Sequence, residues 1–525
     1  MIRLACFFLA LTACSMPNTH QADAPRTTAE RSQGTRTSTV AEVQEFLTQL
    51  PSLPKGERIH LDTFGQTHEG RDMTLVIAAN PPLQTAQEVL ASGKLRLLVN
   101  ANIHAGEVEG KEAVQMILRE IALGQHEDLL DYAVLLFVPV YNADGNERFD
   151  RANRATQNGP VDGVGTRANA QELDLNRDFL KAEAPETRAL LGLMNAYDPH
   201  LFMDLHTTNG SYHGYHLTYS PSLSTNVDAD INRFARQRFL PSVRETMESA
   251  HGFRTLDYGN FTETEPREWV TYDHRPRFGT NYMGLRNRLS VLSEAYSYVD
   301  FPTRIAATRA FVLTVLEQAV AERDSIRNLL STADAKTAAG TWQFGHDSML
   351  GEATTREVLV GSVQEIELAD DLGVRRIADA EYQSTPMATR LDFVSRQHNA
   401  PPLGWLLRQP SQEMRDLLAW HGVQSEAWNQ QVQGKLEVFA VTACHRESVL
   451  FQGHFELRLE GEWRAQEGAP DADALWIPAH QPLGRVAAQL LDPRSEDSAS
   501  TWDRLEGWED VQTGKTVPFL WRIRQ

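Results

Sequence analysis

An imidazole and a carboxylate three residues apart, His104 and Glu107 in His104-Ala105-Gly106-Glu107, follow the apolar run Leu95 to Ile103. Where a buried strand gives way to a helix, that spacing can turn both side chains onto one cation. A second apolar run, Leu201 to Leu205, delivers His206 in the same manner. Two histidines and one carboxylate are the protein ligands of a catalytic zinc that keeps its fourth position open for water. A further carboxylate, Glu294, closes the run Leu289 to Ser293 and is placed to act as base for that water. Together these residues predict a metal-dependent hydrolase with one Zn²⁺ per chain.

Such ligands need rigid elements to hold them. Strands are expected at 73–79, 95–103, 132–140, 201–205, 213–219 and 289–293, from continuous apolar runs bounded by turn residues. Helical periodicity lies between them at 108–123, 185–197, 228–250 and 304–330, and an earlier helix at 38–50 stops at Pro51. This alternation predicts an α/β fold, with a mixed, mostly buried central sheet flanked by helices. Each candidate residue falls at or just beyond a strand end, where open α/β sheets bind ligands.

The ordered series Glu69-Gly70-Arg71, His104/Glu107, Asn142-Ala143-Asp144-Gly145, Asn176-Arg177, His206 and Glu294 resembles the zinc carboxypeptidases, metallocarboxypeptidases of the carboxypeptidase A type. The resemblance spans about Val40 to Leu330 and includes bacterial members whose zinc motif reads His-Ala-Gly-Glu. It implies that His104, Glu107 and His206 hold zinc and that Glu294 serves as general base and then acid. Asn176 and Arg177 would clamp the substrate's terminal carboxylate, because a guanidinium pairs bidentately with a carboxylate. Arg71 matches a further substrate-binding position. The family's oxyanion arginine follows the Asn-x-Asp-Gly turn by an offset that, from Asn142, lands on Gln157. Arg154 and Arg167 are the nearby candidates, with Arg154 slightly preferred. Tyr272, twenty-two residues before Glu294, sits at the offset of a tyrosine that covers the substrate, and Tyr282 competes with it. The base of the specificity pocket is expected near Gly279-Thr280-Asn281.

The implied reaction is hydrolysis of C-terminal residues from peptides. A zinc amidase or deacylase similar to succinylglutamate desuccinylase and aspartoacylase, or a murein-peptide hydrolase, would use the same ligands on N-acyl amino acids or other carboxylated substrates. A binding or scaffold lipoprotein with an inactive peptidase domain is the non-enzyme alternative. Simpler roles compete at single residues: Glu294 could pair with Arg286 or Arg288, and Arg177 with Asp174 or Asp178. His213 and His216 rival His206 but lack its Asp204-Leu205 setting. Asp204 itself is a candidate support for the zinc site. Arg304, Arg309, Arg323 and Arg327 are expected on a solvated helix face.

Residues 1–13 combine Arg3 with the short apolar stretch Leu4 to Leu11, as a signal peptide does. Leu11-Thr12-Ala13-Cys14 resembles a bacterial lipobox, which implies lipidation at Cys14 and an envelope address, facing the periplasm from the outer membrane. Residues 14–39 are polar and read as a flexible tether. Residues 40–330 would form the catalytic domain, 331–340 a linker, and 341–525 a β-rich C-terminal region without chemistry of its own. With Cys6 and Cys14 accounted for, Cys444 is left alone and no disulfide is expected. A formal net charge of -20 argues against nucleic-acid partners, and membrane contact would come only through the lipid. The oligomeric state is open.

Overall fold

A computed structural model describes residues 24–369, 371–429, 432–468, 473–504 and 511–525. The signal-peptide and lipobox residues, Cys14 included, lie outside the described residues.

The first ten strands are β1 (Ile59–Gln66), β2 (Asp72–Ala78), β3 (Leu95–Ala101), β4 (Ala133–Val138), β5 (Leu201–Thr208), β6 (Leu217–Ser220), β7 (Thr255–Asp257), β8 (Asn260–Phe261), β9 (Glu268–Val270) and β10 (Leu289–Tyr296). Eight of them make one mixed sheet in the order β1-β2-β4-β3-β5-β10-β6-β7. Its centre is parallel: β4, β3, β5 and β10 run together, while β2 and β6 run against their inner neighbours.

Successive side chains on these strands enter different cores. Leu97, Val99, Met203 and Leu205 join Val114, Ile117 and Leu118 of helix Glu109–Ala122 and Phe311, Val312 and Val315 of helix Phe301–Ala321. Leu98 and Phe202 point to the other face, with Leu190, Leu191 and Met194 of helix Pro185–Tyr197. Burial on both faces explains why these strands read as unbroken apolar runs rather than alternating ones. The α/β expectation holds, as does the β-rich C-terminal region.

Ten more strands follow: β11 (Phe344–Leu350), β12 (Thr354–Glu367), β13 (Val374–Arg390), β14 (Phe393–Asn399), β15 (Gly404–Leu407), β16 (Glu426–Ala427), β17 (Lys435–Arg446), β18 (Leu457–Ala465), β19 (Leu475–Pro478) and β20 (Thr516–Arg524). Six form a sheet ordered β16-β19-β15-β20-β17-β18. Trp405, Leu418, Phe439, Val486 and Leu520 belong to the same core as Leu98 and Phe202, so this region covers one face of the central sheet. A four-stranded sheet, β12-β13-β9-β8, mixes strands of both regions.

Three segments differ from their sequence reading. Residues 331–340 are not a linker: helix Arg323–Ala338 runs through them and buries Ala333 and Thr337. Alanine-rich chain without glycine until Gly340 favours helix, and a buried stripe fixes it. The tether reading of 14–39 fails for its described part. Thr28–Arg31 is a helix with a capping box, Glu30 pairs with Arg119, and Thr37 and Ser38 donate to buried Glu112. Polar side chains make this docking, which a search for apolar residues does not detect. Arg304, expected in solvent, is wholly buried; it pairs with Glu109 and donates to the carbonyls of Asn158, Ser297, Val299 and Gly159. Among the described residues no helix is long and apolar enough to cross a membrane.

Candidate metal centre and the cleft around it

The parallel strands β3, β5 and β10 set the site. β3 ends at Ala101, and the chain turns through His104 to Glu107 before helix Glu109–Ala122 begins. β5 carries His206, and in the β5–β10 register Glu294 stands directly beside it. Neighbours in a parallel pair share a face, so the register alone turns both side chains the same way.

His104, Glu107 and His206 converge, with one ligand atom of each within 4.8 Å of the others. The two Nδ1 atoms are 3.2 Å apart, and the Glu107 carboxylate lies 3.1 Å from one and 3.0 Å from the other. The outer nitrogens face acceptors: His104 Nε2 is 3.0 Å from Asp174, and His206 Nε2 is 2.8 Å from Asp204. These carboxylates assign a proton to each Nε2, which leaves both Nδ1 lone pairs and Glu107 pointing at one spot. Three acceptors so arranged repel one another unless a cation lies among them. Two imidazoles and a carboxylate at this spacing fit Zn²⁺.

Electrostatics tell the same story. Burial would depress His206, but Asp204 and Glu107 outweigh it and hold the imidazole well above its ordinary range. Burial would raise Glu107, yet His104 and Arg154 hold it well below the usual carboxylate range. Asp174 is likewise held down against burial, by His104 and Arg167. For Glu294 burial wins: against the charge of His206, and with Glu107 adding to the rise, its carboxyl is pushed up to about 8.

Tight turns hold these pieces. A side chain at Gly106 would meet Arg154 Cδ at 2.7 Å and the Gly165 carbonyl at 2.9 Å, so the motif has room only for glycine there. Asn142 donates to the carbonyls of Ile103 and Arg167 at 3.3 and 3.2 Å, which ties the Asn-Ala-Asp-Gly turn to both sides of the site. Asp204, in turn, accepts 2.9 Å from Asn100 on β3.

A cavity of about 510 Å³ opens over the triad. Its lining includes all three candidate ligands, Arg154, Arg167, Asn176, Arg177, Tyr272 and Glu294. Arg177 donates to the Asn176 carbonyl, and its guanidinium stacks 4.0 Å from the Phe278 ring. Asn176 accepts from the Gly279 backbone at 2.9 Å. The two arginines left open by the sequence behave differently. Arg154 is spent on Glu107, Gln157 and the Thr207 carbonyl at 2.8–2.9 Å, and is only 16% exposed. Arg167 bonds Asp174 at 2.9 Å, keeps a 3.6 Å approach to Glu107, and remains 48% exposed. The geometry therefore shifts the preference from Arg154 to Arg167 as the cation open to a ligand.

Arg71 does not line the cavity. It pairs with Glu69 and, at 2.6 Å, with buried Asp144, which also binds Thr67 and the Glu69 backbone. Two of the recognised motifs thus bind each other. Tyr272 lines the cavity with its hydroxyl 2.8 Å from Thr280, while Tyr282 is fully buried against His421. The rivals of the triad fall away: His213 stacks on Tyr296, His216 accepts from the Arg254 backbone, and Arg286 and Arg288 serve Asn195, Asp198 and Asp334. The buried helix Gly279–Leu285 meets Tyr272 through Thr280, and none of Gly279, Thr280 and Asn281 lines the cavity.

Several lining residues escaped the sequence reading. Tyr258, beside Tyr272, is pushed up to about 12 by burial and by Glu294. Asp273, Arg275, Arg277 and Phe278 form another wall, and Phe451 and Glu456 come from the C-terminal region. Buried Asp497 anchors Arg277 at 2.5–2.9 Å. The only signal for these residues was the acidic and basic clustering at 273–277.

The zinc carboxypeptidase family (Peptidase_M14) matches this chain over residues 45–275. Carboxypeptidase 2 of Trichophyton rubrum is 22% identical over 453 residues, which is 82% of this chain and 77% of that protein. Carboxypeptidase Z of Mus musculus is 33% identical over 123 residues, 22% of this chain and 17% of that protein. A metallo-carboxypeptidase from Burkholderia cenocepacia shares 18% identity and a TM-score of 0.41, covering 54% of this chain and 69% of that one. The matched span contains the strand ends that deliver His104, Glu107 and His206, and over residues 45–275 this chain is similar to the zinc carboxypeptidase family.

Proposed function

We propose that this protein is a zinc-dependent carboxypeptidase that removes C-terminal residues from peptides. The observation that carries the reading is that one cavity holds a zinc-fitting triad, Arg177 and Glu294, although Arg177 also lies 3.8 Å from Asp174. Zinc bound by His104, Glu107 and His206 would polarise the scissile carbonyl and acidify a water. Every other step belongs to side chains.

Arg177, backed by Asn176, receives the terminal carboxylate, which selects a free C-terminus and sets the last peptide bond over the triad. Glu294, in the basic form, removes a proton from the attacking water as its oxygen bonds to the carbonyl carbon. A carboxyl whose affinity for protons is raised by burial makes a stronger base than one in water. The same proton then passes from Glu294 to the departing amide nitrogen as the C–N bond breaks. Arg167 stabilises the charge that builds on the carbonyl oxygen. Tyr258 and Tyr272 give the C-terminal side chain an aromatic wall.

Incubation of the zinc-loaded protein with a peptide library of free and amidated C-termini, read by mass spectrometry, tests this. Stepwise loss of single residues from the free acids alone is the expected result. Intact peptides alongside cleavage of N-acyl amino acids would replace the reading with an amidase or deacylase. The envelope address read from residues 1–14 is part of the proposal; loss of lipid labelling in Cys14→Ser tests it.

A further inference from the structure

The cleft is bounded in part by a loop outside the segment matched by the family, residues 447–456 between β17 and β18. We propose that this loop docks apolar side chains of the peptide substrate upstream of the bond that is cut. The inference rests on the carboxypeptidase reading for its occupant.

The loop is built into the site rather than lying near it. Phe451 and Glu456 line the cavity over the triad. Gln452 accepts a 2.8 Å hydrogen bond from the backbone of Asp174, His454 pairs at 2.8 Å with Glu183, and Glu456 pairs with Arg277. The Arg277 guanidinium lies 5.0 Å from the Phe451 ring and 4.6 Å from Trp502. A backbone bridge between Phe451 and His454 closes the turn. So anchored, the turn of the loop is held against the cleft.

The residues on either side of that turn have the opposite character. Val449 is 72% exposed, Leu450 58% and Phe455 41%. Three of the ten large apolar side chains exposed among the described residues fall within this one loop. No internal packing requires them, and apolar surface beside a binding cleft marks a place where something docks. The neighbouring wall offers no such surface: Asp273, Arg275 and Arg277 are charged and already paired.

Direction follows from the clamp. With the terminal carboxylate held at Arg177 inside the cavity, no chain continues beyond it. The part of a peptide that must leave over the rim is the part upstream of the scissile bond. Phe451 and Glu456 line the cavity, and exposed Leu450 and Phe455 are their immediate neighbours in the chain, with Val449 one residue further away. Apolar side chains there bury surface against them.

The test measures binding directly, using full-length Glu294→Gln with zinc to prevent turnover. Two fluorescent hexapeptides share their last two residues and carry either leucine and phenylalanine or serine and asparagine upstream. The apolar peptide is expected to bind about tenfold tighter. In V449S/L450S/F455S on the same background the two dissociation constants should converge. A ratio unchanged by the triple substitution, or near one from the start, overturns the inference, as does failure of both peptides to bind. Turnover of the same peptides by the unsubstituted protein is scored separately: no cleavage with the binding ratio intact would overturn the peptidase reading and leave the docking role standing.

Discussion

Gln452 accepts a hydrogen bond from the backbone of Asp174, the residue whose carboxylate faces His104 Nε2. A loop of the C-terminal region thereby steadies the outer support of a metal ligand 348 residues earlier in the chain (452 − 104). Asp174→Ala should weaken zinc binding about 10- to 100-fold, the usual cost of losing a carboxylate behind a ligand histidine. Gln452→Ala, which loosens the support without removing it, should cost about 2- to 10-fold, the range of one hydrogen bond. Competition with a chromogenic chelator measures both.

Substitution of a ligand and of the base should separate cleanly. His104→Ala, Glu107→Ala or His206→Ala is expected to abolish stoichiometric zinc and hydrolysis together. Glu294→Gln should retain zinc, by elemental analysis, and lose turnover. Full zinc content in any ligand variant would contradict the assignment.

Arg154, Arg167 and Arg177 are three of the five arginines that line the cavity, and their roles predict three different losses. Arg177→Ala should cost roughly 10- to 100-fold in kcat/KM on free-acid peptides, as expected for a charged hydrogen-bond pair, and blunt discrimination against amides. Arg167→Ala should lower kcat about 100-fold or more with zinc retained. Arg154→Ala, which frees Glu107 from a 2.9 Å partner, should instead show as weaker zinc retention.

Removal of residues before Val40 should destabilise the protein. Glu112 is buried and accepts from Thr37 Oγ1 at 2.9 Å and from the Ser38 backbone at 2.7 Å. Without them its carboxylate is left under-satisfied, at a cost of about 3–5 kcal/mol. Urea unfolding of the truncated and longer chains gives the difference.

The tie between His454 and Glu183 should be strongest in mildly acidic solution. Burial raises Glu183, but His454 and Lys181 outweigh it and lower it from 4.5 to about 2. Its contribution is therefore present above pH 4.5 and is lost as pH falls through about 2. Glu183 raises His454 above 6.5 despite burial, so that contribution is complete below pH 6.5 and is lost as pH rises through the higher folded value. Between about 4.5 and 6.5 both are present. Replacing His454 with Asn should flatten the alkaline limb of a stability–pH profile measured by denaturant unfolding.

Much of the site was legible because its ligands sit at strand ends, where a short apolar run and a following His or Glu are visible in a few residues. His104, Glu107, His206 and Glu294 all follow that rule, and Asp204 was found by its spacing from His206. Arg154 and Arg167 could not be separated, since both lie in the irregular segment after Asn142 and only the side chains' partners distinguish them. Arg71 lies outside the cavity lining and pairs with Glu69 and Asp144, a partnership that spacing along the chain does not reveal. The wall from Phe451 and Glu456 left no local trace, for its partners at Asp174, Glu183 and Arg277 are far away in sequence. The part of helix Arg323–Ala338 beyond residue 330 was hidden by its small polar residues, which look like a linker when their buried stripe is not in view.

Strand β9 pairs with β13 through Trp269 opposite Thr389, and Arg390 reaches back 2.8 Å to Glu268. One sheet is thus sewn from segments on both sides of the interval first read as a boundary. A polypeptide ending near residue 330 would present β9 as a bare edge, its backbone donors and acceptors free to template pairing with other chains. The C-terminal region is therefore not cargo that recombination could exchange for another module. A cut there would also uncover the face of the central sheet that Trp405, Phe439 and Leu520 share in one core with Leu98 and Phe202.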